Sequence, residues 1–353
     1  MASDRRDRPA AAHELQSLSE EHERLDAALD QLAAVALNGG GTDGDPSGTA
    51  RPRTDHDGAS DATVRTALHA AAVTVRGTVS DCLAHEEPKK LERILHNPQV
   101  SLAYHTREHG FAASSSYVLA QGTASVDLRP SRERLAELMR ASVPFLGETR
   151  HGPLWDWLLR EYHQERVFVD VELERVAVWE DLAARGARAV TGTTWPQPPR
   201  EQTAPKNGTG PRLDVTAVAR RIRRLPHRLL AYRGADGFPV IVPVRVTGHD
   251  GAGLHLDVPR GLLPPGGRRA GFLAHAFEPQ CVGLGMRTLT GWVTVTEEGT
   301  VYAPHTSKGL AAPPFKNLLT VSNGLLAKYG LWRARRDGTS ARLQDLVARG
   351  PAE

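Results

Sequence analysis

Apolar and polar positions recur with two different periods along this chain, and the changes of period divide it. Over residues 10–37, Leu15, Leu18, Leu25, Leu29 and Leu32 fall at spacings of three, four and seven, which predicts an amphipathic helix. Residues 38–62 are Gly, Asp and Pro with almost no hydrophobic side chain, and predict a long flexible loop. Small and β-branched residues then surround an Arg76-Gly77 turn over 64–79, consistent with two strands. A short helix (LERIL, 91–95) must stop at Asn97-Pro98, because the residue before proline is driven out of the helical region. An apolar strand over 100–104 follows, then a Gly/Ser-rich connection and an alternating strand that ends at Gln121-Gly122.

Helices are expected over 131–139 and 154–164, where Leu154, Trp157, Leu158 and Tyr162 share a face. Over 167–179, Val167, Val169, Val171 and Leu173 oppose Asp170, Glu172 and Glu174, the pattern of a half-buried strand. Residues 191–212 are rich in Pro and Gly with little to bury, and read as a linker at a domain boundary. Beyond it come an Arg-rich helix (215–225), strands over 229–232 and 240–246 around a Gly234-to-Gly237 turn, further strands over 254–258, 270–274 and 289–295, and a helix over 315–331.

The second half repeats the order of the first. VSLAYH at 100–105 aligns with AGFLAH at 270–275 and YVLAQG at 117–122 with MRTLTG at 286–291, at offsets of 170 and 169. HAAAVTV at 69–75 falls opposite PVIVPVR at 239–245, again at 170. The repeat rests on strand order and spacing, since identities are few.

The stretch from Lys89 to Val126 sets a basic helix start, an Asn-Pro stop, an apolar strand, a Gly/Ser-rich connection and a strand closing on Gln121-Gly122 in that order. It resembles the flavin-binding split barrel of the pyridoxamine 5'-phosphate oxidase family, and the second half resembles bacterial members of it; together the two stretches cover residues 64–180 and 213–332. The resemblance implies a mainly β chain with flanking helices (α+β), built as two split β-barrel domains that form an intramolecular pseudo-dimer. The domains would be an N-terminal helix and possible first strand (1–37), the loop (38–62), a first barrel (63–190), the linker (191–212) and a second barrel with a C-terminal helix (213–353).

The same resemblance implies an oxidoreductase that uses FMN, or the deazaflavin F420, on a small organic substrate, as a monomeric pseudo-dimer or a homodimer. Lys89 and Lys90 occupy the place where the family holds the flavin phosphate, at a helix N-terminus whose free N–H groups and partial positive charge suit an anion. Gln121 is the implied donor to a ring carbonyl, with Thr290 as its counterpart. Trp292, Tyr302 and His305 are further contact candidates. Two departures bear on this: His85-Glu86-Glu87 puts carboxylates beside the phosphate position, and the second half has a Pro/Gly loop where the helix should be, leaving Arg260, Arg268 and Arg269 as its anion candidates. The alternative is a cofactor-free ligand-binding or scaffold protein, or a haem binder using His105 or His275.

Composition narrows these readings. A net charge of +3 with 5% aromatic residues and dispersed arginines argues against a nucleic-acid surface. No apolar run is long enough for a membrane helix, and residues 1–16 lack the apolar core of a secretory signal, so a cytoplasmic protein is expected. Cys82 and Cys281 form no CxxC, and no metal site is expected. A helical di-iron bundle recruiting His13, His22, His69, His85 and Glu86 conflicts with the strand periods downstream. No Ser-His-Asp order, HExxH or GxxxxGK[ST] is present, and no catalytic acid or base is singled out.

Overall fold

Two antiparallel sheets account for the strand-like periods. The computed structural model describes residues 81–82, 87–105, 116–148, 150–164, 166–336 and 338. The helix expected within 10–37, the loop over 38–62 and the strands expected within 64–79 lie outside the described residues.

In chain order the first half gives β1 (Asp81–Cys82), α1 (Glu87–His96), β2 (Gln99–Tyr104), β3 (Tyr117–Asp127), α2 (Arg132–Leu146), α3 (Pro153–Gln164), β4 (Arg166–Trp179) and β5 (Arg188–Gly192). The second gives α4 (Val215–Ile222), β6 (His227–Arg233), β7 (Pro239–Pro243), β8 (Arg245–His249), β9 (Leu254–Asp257), β10 (Gly266–Ala276), β11 (Gly285–Val295), β12 (Thr300–Ala311) and α5 (Lys316–Arg336). The first sheet has the order β1-β4-β3-β2, with β5 also on β4; the second is a seven-stranded, curled half-barrel of order β7-β6-β10-β11-β12-β9-β8. The protein is thus mainly β with a few helices, an α+β chain.

The order β9-β12-β11-β10 in the second sheet repeats β1-β4-β3-β2 in the first. The correspondence extends to a defect. The β3/β4 ladder slips between Gln121 and Gly122, and the β11/β12 ladder slips between Thr290 and Gly291. A Cβ on Gly122 would drive into the Glu172 carbonyl oxygen, and one on Gly291 into that of Ala303. Each bulge brings its strands too close for a side chain, so glycine stands at both. The bulge also explains why β3 does not end at Gly122, as its sequence suggests, but runs on to Asp127.

Local chemistry sets the helix ends. Ser131 Oγ accepts from Arg134 N at 3.3 Å to start α2, and Asp214 Oδ1 accepts from Ala217 N at 3.1 Å to start α4. Helix α4 is short, and its buried Val215, Val218 and Ile222 hold it to the sheet, each side chain contributing about 1.5–3 kcal/mol by leaving water. The largest core joins the halves: Tyr117, Leu119 and Trp179 of the first sheet pack with Leu230, Val240 and Phe272 of the second. Helix α1 instead covers the first sheet, with Leu91 over Val167, Val169 and Val171.

Residues 191–212 differ from a plain linker. They lie along the second sheet, where Gln202 N donates to Gly267 O (2.9 Å) and Arg212 N to Pro304 O (2.9 Å). Trp195 packs against the shared core, and the Arg188 guanidinium sits 4.4 Å above its ring. A single tryptophan thus anchors a segment whose Pro and Gly content alone reads as unattached. The strand expected over 240–246 divides at Val244 into β7 and β8, and β12 was hidden by Pro304 and the polar run that follows it.

Candidate functional site

The two sheets meet along β7 and the β6–β7 turn. That turn is closed by Gly234 N donating to Phe238 O at 2.8 Å, with Gly237 at φ 92°, a left-handed conformation that glycine adopts without strain. Its backbone and Asp236 enter the first sheet. Gln121 Nε2 donates to Pro239 O (2.6 Å), Ser101 Oγ donates to the same oxygen (2.5 Å), and Tyr117 Oη donates to Ile241 O (2.7 Å). Arg175 completes the clasp: Nε donates to Gln121 Oε1 (2.7 Å), Nη1 to Thr194 O (2.9 Å), and Nη2 pairs with Asp236 Oδ2 (2.6 Å). Gln121 is 0% exposed and Arg175 3%, so this charge is buried and matched by hydrogen bonds. Burial pushes the Tyr117 phenol far above its ordinary range, keeping it a donor.

On the second sheet the corresponding face is open. A cleft of about 630 Å³ runs over β6, β10, β11 and β12, bounded by Asn97 at the end of α1 and by Pro205 and Arg212 of the crossing segment. Arg212, Arg233 and Arg269 border it, all exposed, and none has a carboxylate within ion-pair distance among the described residues. Arg233 and Arg269 each lie two residues beyond the paired Ala231 and Gly271, on neighbouring antiparallel strands. Adjacent like charges repel, so the pair stands ready for an anion.

The floor combines Thr290 and Thr306, whose hydroxyls are 2.6 Å apart, with Gly271 and the buried Trp292. A Cβ on Gly271 would meet only Leu289 O at 3.8 Å, leaving the floor flat. His305 lines the cleft with its Nε2 buried and without a partner among the described residues. Tyr232 also borders it, but its hydroxyl donates to Leu262 O (2.6 Å), and burial pushes its pKa up to about 12 against the opposing pull of Arg268 and Arg188. Tyr232 is therefore structural.

The residues expected from the sequence are dispersed. Lys89 and Lys90 fall in the first turn of α1; their side chains lie outside the described residues, and it is the far end of that helix, about 11 Å away along its axis, that reaches the cleft. Gln121 is the centre of the clasp. Arg260 is exposed on the turn after β9 and does not border the cleft. Arg268 is buried, donating to Pro199, Pro264 and Pro265 carbonyls, and burial lowers its pKa. Tyr302 is fully buried beneath the cleft, while Arg269, Thr290, Trp292 and His305 are gathered in it. Arg212 and Arg233 were missed because nothing in their local sequence separates them from the other dispersed arginines.

Two residues of the repeat meet directly. His105 and His275, 170 positions apart, approach to 3.1 Å between their Nε2 atoms, with His227 beside them (ring centroids 5.0 Å from His275). A hydrogen bond between two imidazoles needs one neutral ring as acceptor, so both cannot be cationic in this arrangement. Among the described residues no group of three or more His, Cys, Asp or Glu has metal-binding geometry, and no helix is long and apolar enough to cross a membrane. Comparison with protein-family models, with curated proteins and with solved structures found no match.

Proposed function

We propose that the chain is a duplicated split barrel forming its own pseudo-dimer, and that the cleft on the second sheet holds a phosphate-bearing, planar-ring cofactor for an oxidoreductase acting on a small molecule. The pseudo-dimer is supported by the repeated strand order, the repeated Gly122 and Gly291 bulges and the meeting of His105 with His275. The cofactor reading rests above all on the three arginines around one cleft that have no carboxylate partner among the described residues. Its volume lies within the range of small-molecule sites.

These residues fit FMN or F420. The arginines suit a phosphate group, Thr290 and Thr306 can donate or accept at a ring edge, and the Gly271 floor admits a flat ring. A bound flavin would supply the hydride or electron transfer, and the protein would bind and orient it. Haem suits the residues less well. His105 and His275 hold each other's Nε2 at 3.1 Å, so either ring would have to give up that contact to serve as an axial ligand.

The test is the absorption spectrum of the purified protein, followed by melting curves with FMN, F420 and haem. A flavin spectrum, or a rise in melting temperature with FMN or F420 that disappears in Arg233→Ala/Arg269→Ala, is the expected result. Colourless protein whose melting temperature responds to none of the three would overturn the proposal in favour of a cofactor-free scaffold.

A further inference from the structure

Residues 203–211 pass from β10 to β12 beside the open cleft, which Pro205 and Arg212 border, as a strap fixed at both ends. At one end Gln202 N donates to Gly267 O (2.9 Å), Gln202 Oε1 accepts from Arg269 N (2.9 Å) and Glu201 Oε1 accepts from Gly267 N (2.8 Å), all on β10. At the other, Arg212 N donates to Pro304 O of β12 (2.9 Å), Leu213 packs against the shared core and Asp214 starts α4. Between these pins the hydrogen bonding among the described residues is internal: Gly208 N donates to Pro205 O (2.9 Å), closing a turn with Lys206 and Asn207 at its tip. A Cβ on Gly208 or Gly210 would meet nothing within 4 Å. The strap is also slack. β10 and β12 lie about 10 Å apart with β11 between them, whereas the chain from Gln202 to Arg212 can extend to about 33 Å.

Charge decides where such a strap rests. Lys206 is its one charged side chain, exposed and with no carboxylate within ion-pair distance among the described residues. The flanking carboxylates are engaged elsewhere, Glu201 with Gly267 N and Asp214 with Ala217 N. The cleft is bordered by Arg212, Arg233 and Arg269 and by no Asp or Glu, and Lys206 stands outside its lining. With no anion bound, the four cations repel one another; an anion among the arginines reverses the sign. A phosphate group thus interacts differently with the open and the closed strap, which is what closure driven by a ligand requires. We propose that residues 203–211 close over a phosphate-bearing ligand in this cleft, and that Lys206 is a binding residue joining the three arginines on its phosphate group. The choice of FMN or F420 as that ligand rests on the cofactor reading above, whereas the closure needs only the phosphate. A closed strap slows escape of the ligand, so Lys206 acts on the dissociation rate.

Trypsin tests this on the full-length protein, since it cuts the Lys206–Asn207 bond at the tip of the strap and mass spectrometry follows that bond alone. The probes are FMN, F420 and inorganic pyrophosphate. Saturating FMN or F420 should slow this cleavage about tenfold or more. Lys206→Gln should speed FMN dissociation about tenfold, Lys206→Arg should restore it, and neither should shift the melting temperature of the ligand-free protein. Protection by pyrophosphate in protein that binds neither FMN nor F420 would overturn the flavin reading and uphold the strap. FMN bound with cleavage unchanged, or with a dissociation rate unchanged in Lys206→Gln, would overturn the strap and leave the flavin reading standing. No binding of any of the three would overturn both.

Discussion

At corresponding places on the two sheets, one face is sealed and the other open. The β3 bulge presents Gln121, and the β4 residue across from it is Arg175; the β11 bulge presents Thr290, and the β12 residue across from it is Thr306. The glutamine and arginine are long enough to cross to the β6–β7 turn and find Pro239 O and Asp236. The two threonines reach only each other, leaving a cleft above them. Two sheets of the same strand order can thus share their strand geometry while side-chain length at two positions decides which face is closed and which carries a cleft.

The comparison can be broken first at its shared element. Gly122→Ala and Gly291→Ala should each destabilise the protein by about 3 kcal/mol, because each methyl meets a backbone carbonyl that the opposite strand cannot move; melting temperatures measure both. A large loss in one and none in the other would show that the bulges are not equivalent. Next comes the clasp. Asp236→Ala leaves the buried Arg175 without its carboxylate and should cost about 2–3 kcal/mol, the lower end because Asp236 is partly exposed. Arg175→Met with Asp236→Ala should recover part of that loss by removing the stranded charge.

On the open side the expected effects concern binding. Arg233→Ala/Arg269→Ala should weaken FMN or F420 by about 3 kcal/mol, near a hundredfold, with little change in stability, as measured by fluorescence titration. Thr290→Gln, which copies the sealed sheet into the open one, should cost about 1 kcal/mol of affinity and leave the melting temperature nearly unchanged.

The smallest effect lies in the connection between corresponding strands. The second sheet joins β11 to β12 by a turn closed between Thr296 and Gly299, whereas the first inserts α2 and α3 between β3 and β4. At the end of α3, burial, then the charges of Arg166 and His151, hold His163 at a pKa of about 4, and neither ring nitrogen has a partner among the described residues. A histidine held neutral in the fold stabilises fully above its unfolded pKa near 6.5 and loses that contribution as pH falls towards 4, because the unfolded chain takes up the proton first. With partial exposure the loss is about 1 kcal/mol. His163→Phe should flatten denaturation midpoints across that window.

Most strands were legible because burial on one face forces a period of two, and the helices because capping residues such as Ser131 and Asp214 and breakers such as Asn97-Pro98 act locally. The offset of 170 also survived in the sequence, since spacing between strands is fixed by the fold even where identity is lost. The site was harder to read. Gln121 was noticed beside the shared glycine, but its role depends on Pro239, 118 residues away. Arg212, Arg233 and Arg269 come from a crossing segment and two strands, and only the sheet register and the path of residues 193–212 bring them together.

Periods, caps, bulge glycines and the repeat were determined by the sequence itself, because each follows from sterics or hydrogen bonding within a few residues or from a recurring pattern. Which of two equivalent faces is closed was decided by the tertiary structure alone. That choice depends on long-range contacts between groups, such as Arg175 with Asp236, whose distance in space no local pattern encodes.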